Sequence, residues 1–275
     1  MHNKIDSLFS HLWQDYLTIT PSAKKVHDLL EGFESEHSGK STKLVNDHIA
    51  LRTFNIEKIN LDKLAAQFLA LGYTEQGQYD FKQKKLRAKH FEHADDTQPK
   101  VFISELMVEE MPADIQLIIL KMTDNISDDA AQQDNFLYSG THWQVSTQDY
   151  NTLAEHSEYA AWMSAWGFRA NHFTVSLNHM QHLQSLANLN QKLKDAGFVL
   201  NTSGGEIKGG PDVLLAQSST MADKIKVDFA NGEKLVPSCF YEFAQRYPTI
   251  SGSLYQGFVA ASADKIFEST NHSIK

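Results

Sequence analysis

A phrase that occurs twice, with a histidine at the same place in each copy, constrains this chain more than any other feature. Asn46-Asp47-His48-Ile49-Ala50-Leu51-Arg52 and Ala170-Asn171-His172-Phe173-Thr174-Val175-Ser176 both read as strands. A helix-like stretch follows each, and each helix runs into a glycine and an aromatic, Gly72-Tyr73 in the first copy and Gly197-Phe198 in the second. The histidine-to-glycine separation is 24 residues in one copy and 25 in the other. Such a repeat predicts two copies of one supersecondary unit, with two imidazoles brought together by internal pseudo-symmetry.

The rest of the chain fits that frame. After the His48 to Phe54 strand, Leu61 to Leu71 reads as an amphipathic helix with Leu64, Phe68 and Leu71 on one face. Strands are predicted over 73–81, 86–92 and 101–108, which completes a βαβββ unit. The order recurs as a strand over 172–177, a helix over 182–196, and strands over 198–203, 213–219, 225–229 and 239–243. Gly204-Gly205, Gly209-Gly210-Pro211 and Asn231-Gly232 mark turns between them. Residues 3–35 read as helical, with Leu8, Leu12 and Tyr16 in register and a polar loop over 34–42. Ile115 to Met122 and a helix-like stretch over 150–166 lie between the units, and the tail from Gly252 ends in a short helix near 260–268.

The expected fold is therefore α+β. Two βαβββ modules form a half-barrel around a cavity, a closure that removes exposed sheet edges. Helices are added at the N-terminus and between the modules. A single domain is expected over 1–275, with N-terminal helices at 1–42, module one at 43–110, a connector at 111–168, module two at 169–247 and a tail at 248–275.

Composition removes several function classes. The net charge is −9 and no Lys/Arg run stands out, which argues against nucleic acid and anionic membrane as partners. A small anionic substrate remains compatible, because one local arginine outweighs the global field at contact distance. The single cysteine, Cys239, forbids an intrachain disulfide and points to the cytoplasm. The first 18 residues carry no apolar signal core, and runs such as Leu117 to Leu120 are too short to span a bilayer.

Strand alternation sets the candidate site. His48, Ala50 and Arg52 share one face, as do His172, Thr174 and Ser176. Glu242, in Phe240-Tyr241-Glu242-Phe243, is a carboxylate between apolar neighbours on the closing strand of module two. Two imidazoles and one carboxylate make a facial triad with open positions, the arrangement of non-haem Fe(II) oxygen chemistry. Glu105, on the closing strand of module one, reads as the symmetry counterpart of Glu242 and as a candidate fourth ligand. Four ligands would favour Lewis-acid work on an enediolate by zinc or nickel.

Structural readings compete at each position. Arg246, four residues beyond Glu242, is a candidate salt-bridge partner for it. His90 and His93 read as surface residues, and His179 and His182 as solvent-exposed. Trp162 and Trp166 read as core. Cys239 lacks the matched histidine and acid of a nucleophile. The glycine pairs lack the Lys-Ser/Thr of a phosphate loop.

The residues also resemble a known family. Asn46 to Phe54, Asn171-His172-Phe173-Thr174, Leu214 to Ser219 and Phe240 to Arg246 are similar to phrases of the 2-oxoadipate dioxygenase/decarboxylase family. That family is akin to the vicinal-oxygen-chelate enzymes, including hydroxymandelate synthase, and the resemblance spans roughly residues 40 to 260. It implies that His48, His172 and Glu242 bind Fe(II), that Arg52 holds a substrate carboxylate, and that Gln217 and Ser219 face the cavity. The implied reaction takes 2-oxoadipate, or a similar 2-oxo acid, and O2 to 2-hydroxyglutarate and CO2, as in lysine breakdown. Arg52 would grip the distal carboxylate in a bidentate fashion that a lysine does not reproduce. The alternatives are a glyoxalase-like metal-dependent lyase or isomerase, motivated by Glu105, and a non-catalytic metal- or ligand-binding module.

Overall fold

A computed structural model describes residues 2–271. Among the described residues ten strands occur in chain order: β1 Asn46–Phe54, β2 Tyr73–Phe81, β3 Leu86–His93, β4 Lys100–Leu106, β5 Ala170–Ser176, β6 Lys208–Gly210, β7 Leu215–Ser219, β8 Lys224–Phe229, β9 Gly232–Pro237 and β10 Phe240–Arg246. Eight of them form one sheet in the order β2-β3-β4-β1-β5-β10-β7-β6, while β8 and β9 form a separate hairpin.

The sheet is palindromic about its centre. β1 pairs antiparallel with β5 at the seam, β1 pairs parallel with β4, and β5 pairs parallel with β10. Each half then continues outward through antiparallel neighbours, β3 and β2 on one side, β7 and β6 on the other. This is the predicted pair of βαβββ modules. The repeat's glycines have a backbone reason: Gly72 and Gly197 have φ of 96° and 86°, where a side chain would be strained. Each ends its module's helix, α3 (Leu61–Ala70) or α7 (Leu186–Asp195), and turns the chain back toward the sheet. Both helices start on a cap: the side chain of Asn60 accepts from Lys63 N, and that of Ser185 from Asn188 N.

Helices α1 (His2–Ile19) and α2 (Pro21–Ser38) cover the convex face. Leu12 and Tyr16 of α1 are fully buried. The Tyr16 hydroxyl donates to Phe240 O at 2.6 Å, and Trp13 and Tyr16 pack on Phe173. Alternation therefore sends Phe173, Tyr241 and Phe243 into the convex core, leaving His172, Thr174 and Glu242 for the concave side. The connector supplies α4 (Ala113–Thr123), α5 (Thr147–His156) and α6 (Glu158–Trp166). The predicted Trp162–Trp166 core pair is buried, and its indoles donate to Ser238 O and Pro237 O.

Three expectations are corrected. Residues 198–203 form no strand; Leu200 makes a single bridge to Thr220, and the short β6 takes the sheet edge instead. Residues 225–229 leave the main sheet, because their polar alternate positions turn to water and their half-buried Ile225 and Val227 serve one side of the β8–β9 hairpin. The loop expected over 34–42 starts later, since α2 continues to Ser38 and ends on Gly39 at φ 69°.

Glu34 explains that extension. It is fully buried and accepts main-chain N–H bonds from Gln181, His182 and Leu183, tying α2 to the loop that leads into α7. Replacing it with alanine would leave three amides without their acceptor. Glu34→Ala is expected to destabilise the fold by about 3 kcal/mol in urea denaturation, against near-neutral change for alanine at the exposed Glu36.

Candidate metal centre

The seam places the two histidines. In the β1–β5 register, His48 faces Thr174 and Ala50 faces His172, so both imidazoles sit on the concave side one step apart, with ring centroids 5.6 Å from each other. The parallel β5–β10 register puts Glu242 beside Thr174, one step along from His172. His48, His172 and Glu242 are all buried, and one ligand atom from each lies within 4.8 Å of the others.

Their orientation is fixed from behind. His48 Nδ1 donates to Asp47 Oδ1 at 2.8 Å, since a carboxylate only accepts. Asp47 is itself gripped by Arg246 through Nε at 2.7 Å and Nη2 at 2.8 Å. Burial alone would raise the Asp47 carboxyl; the Arg246 guanidinium and the His48 bond overcome it and hold the group well below the usual carboxylate range. His172 Nδ1 lies 3.2 Å from Asn171 Oδ1 and its ring stacks on Phe240. Both imidazoles therefore turn Nε2 inward. Burial pushes both histidines down, His172 well below its ordinary value with further help from the charges of His48 and Arg52.

The carboxylate is the test of what the cluster holds. Gln217 Nε2 donates to Glu242 Oε1 at 2.6 Å, while Oε2 is buried with no hydrogen bond. His172 Nε2 lies 3.2 Å from that Oε2 and His48 Nε2 lies 3.5 Å from Oε1, so two ring nitrogens and a carboxylate converge on one point. Thr174 Oγ1 reaches His48 Nε2 at 3.0 Å. Burial pushes Glu242 up to about 8. Three converging donors, one an orphaned buried oxygen, fit a divalent cation; neutral imidazoles, a carboxylate and carboxylate- or amide-oriented ring nitrogens are its usual shell.

Glu105 is not brought to this place. Glu242 lies two residues beyond the residue paired with His172, and the residue so placed on β4 is Phe102, which lines the cavity. Glu105 is three residues further on, so alternation turns it to the opposite face. There it accepts from Leu61 N at 2.8 Å and from Arg87. Its carboxylate closes the start of α3.

The predicted substrate residues surround the centre in different ways. Gln217 lines the cavity and holds Glu242. Ser219 is fully buried, with its hydroxyl 2.9 Å from that of Ser269. Arg52 is 1% exposed, and its guanidinium lies over the rings of Tyr159, Trp162 and Phe267. It donates to Glu158 Oε1 at 2.9 Å and to Thr270 Oγ1 at 3.3 Å, while its Nε is buried without an acceptor. The cover comes from α8 (Ala260–Ile266) and the turn Phe267–Thr270, with Phe258 against His48. Beneath it the cavity measures about 20 Å³, room for about one water.

The sequence reading missed Asp47, Asn171, Glu158, Thr270 and Phe258. Two were signalled, because the repeated phrase sets a carbonyl-bearing residue immediately before each histidine. The expectation that Arg246 pairs with Glu242 is corrected: it pairs with Asp47. His90 is not a surface residue; it is 3% exposed, between Tyr79 and Glu92. His179 and His182 are exposed, as expected.

Fold and site together define a two-module half-barrel protein with a candidate metal centre at the seam between its halves. A family model described as 2-oxoadipate dioxygenase/decarboxylase matches residues 8–253. A protein of Arabidopsis thaliana named 2-oxoadipate dioxygenase/decarboxylase, chloroplastic, is 36% identical over 93% of this chain and 74% of its own length. The chain belongs to the 2-oxoadipate dioxygenase/decarboxylase family. The crystal structure of hydroxyglutarate synthase from Oryza sativa in complex with 2-oxoadipate matches with TM-score 0.87 at 31% identity, covering 97% of this chain and 91% of that one. A Shewanella frigidimarina crystal structure bearing only a provisional hydrolase label matches with TM-score 0.88 at 55% identity, covering 94% and 98%.

Glu242→Gln is expected to abolish stoichiometric divalent-metal retention, measured by elemental analysis after dialysis, while the melting temperature of the metal-free protein stays level or rises, because a carboxylate oxygen without a hydrogen bond gives way to an amide that can donate to His172 Nε2. Asp47→Asn is expected to weaken metal affinity about 10- to 100-fold by competition titration.

Proposed function

We propose that the chain is an Fe(II)-dependent dioxygenase/decarboxylase that converts 2-oxoadipate and O2 to 2-hydroxyglutarate and CO2. The observation that carries this reading is the three-ligand set, with Phe102 where a symmetric fourth carboxylate would stand. A triad leaves room for a substrate that chelates through its 1-carboxylate and 2-oxo group, and for dioxygen beside it. The lyase or isomerase alternative drew on Glu105, which is engaged elsewhere. Bound Fe(II) supplies the redox chemistry that couples dioxygen to loss of the 1-carboxylate. The two oxygen atoms of O2 end in the products, and no second 2-oxo acid is consumed.

The chain's own groups do the positioning. Asp47 and Asn171 aim the imidazoles, and Gln217 steadies Glu242. Arg52, with an unmet Nε donor beside the site, holds the distal carboxylate; the aromatic cage of Tyr159, Trp162 and Phe267 keeps its plane fixed. Phe102 and Phe258 keep the site dry. A six-carbon diacid is larger than the closed cavity, so α8 and the turn after it withdraw to admit it. The proposed location is the cytoplasm. No helix among the described residues is long and apolar enough to cross a membrane.

Oxygen uptake with equimolar CO2 release from 2-oxoadipate, dependent on added Fe(II), is the expected result; no turnover with Fe(II) and a panel of 2-oxo diacids would sink the proposal. Arg52→Ala is expected to retain iron and raise KM at least about 100-fold. Loss of iron along with substrate affinity would make Arg52 a structural residue instead.

A further inference from the structure

Lys208 is a buried cation that none of the roles above uses. It is 3% exposed, on the short edge strand β6. Its register partner is Gln217, so its side chain enters the same concave side as the residue that holds Glu242. The ammonium donates to the main-chain carbonyl of Asn201, and no carboxylate lies within ion-pair distance of it among the described residues. Burial pushes the amine down to about 8, with Glu242 and Glu206 opposing that shift from a distance. An ammonium held this way calls for an anion to answer it.

The charges around the cavity show which anion would. Asp47 answers Arg246, and Glu158 answers Arg52. With Glu242 committed to the triad, Lys208 keeps only the Asn201 carbonyl and has no adjacent anion of its own. A divalent cation at the triad then leaves an excess of two positive charges. A 2-oxo monoacid supplies one negative charge and a 2-oxo diacid supplies two.

The cover shows where the second carboxylate would go. Ser269 Oγ lies 2.8 Å from Asn201 Nδ2 and 2.9 Å from Ser219 Oγ, and the next residue, Thr270, lies on Arg52 and Glu158. A carboxylate in place of these two adjacent hydroxyls would meet Arg52 on one side. On the other it would meet Ser219 and the side chain of Asn201, the residue whose carbonyl Lys208 holds.

We propose that Lys208 is the second cation of the distal-carboxylate subsite, so that preference for a dicarboxylic over a monocarboxylic 2-oxo acid depends on Lys208 as well as Arg52. This rests on the 2-oxo acid reading of the site. The guanidinium alone is already matched by Glu158, and the lysine supplies the charge that a monoacid leaves unanswered. Lys208 is a specificity residue and does not touch the reacting carbon.

The test is anaerobic calorimetry on the Fe(II)-loaded protein with 2-oxoadipate and 2-oxohexanoate, which share a six-carbon chain and differ in the distal carboxylate. The unaltered protein is expected to bind the diacid at least about 30-fold more tightly. Lys208→Met, close in shape and neutral, is expected to lose most of that ratio through weaker diacid binding, with 2-oxohexanoate affinity within about threefold and iron content unchanged. Lys208→Arg is expected to restore part of the ratio. An unchanged diacid-to-monoacid ratio in Lys208→Met, or equal weakening of both ligands, would overturn the role of Lys208 and leave the function reading standing. If the unaltered protein binds neither acid, the function reading itself fails. Should Lys208→Met not fold, Lys208→Gln read by the same ratio decides the question.

Discussion

The antiparallel pairing of β1 with β5 is the contact on which the rest depends. It is the only place where the two modules share main-chain ladder bonds within the described sheet. Its register decides whether His48 and His172 share a face. A slip of one residue would send one imidazole into the convex core against α1. The packing of Trp13 and Tyr16 on Phe173 opposes that slip, since the same shift would expose an aromatic. A hydrophobic contact on one side of the sheet thus sets the geometry of a polar cluster on the other.

Behind the histidines, the buried charges of Asp47 and Arg246 answer each other. Asp47 would be costly alone; with both oxygens on Arg246 and one on His48 it becomes a rigid post. Arg246 also donates to the carbonyls of Tyr255 and Gly257, which lead into Phe258 and the cover. One guanidinium therefore links His48, through Asp47, to the segment that closes the cavity. Disturbance at either end has a short physical route to the other.

Much of this was legible in the residues, and the part that was not has a physical reason. The histidine spacing and the two glycines gave the repeat, because a positive φ after each helix leaves few other choices. Alternation within strands gave the concave face. Glu105 was misplaced because symmetry was judged from order along the strand, whereas the register of β4 against β1 makes Phe102 the counterpart. Glu158 and Thr270 were unreadable because each reaches the site through a contact between elements far apart in the chain, and Lys208 because its edge strand replaces the one expected over 198–203. The misread strand over 198–203 failed for a related cause: its apolar content is real, but Asn201 is taken by the C-terminal turn and the edge passes to β6.

The C-terminal cover carries a consequence for affinity. Thr270 and Ser269 satisfy polar groups that a ligand would need, while Phe258 and Phe267 occupy the apolar volume beside them. On the proposed function the cover is thus a competitor built from the same chain, and the affinity seen from outside would be the intrinsic one reduced by the fraction of molecules whose cover has withdrawn. A ligand that offers only apolar surface regains what the phenylalanines give up and leaves the hydroxyl contacts unreplaced. One that offers only charge does the reverse. Tight binding falls to molecules that replace both sets at once, which makes the cover a filter on shape and charge together before any chemistry begins.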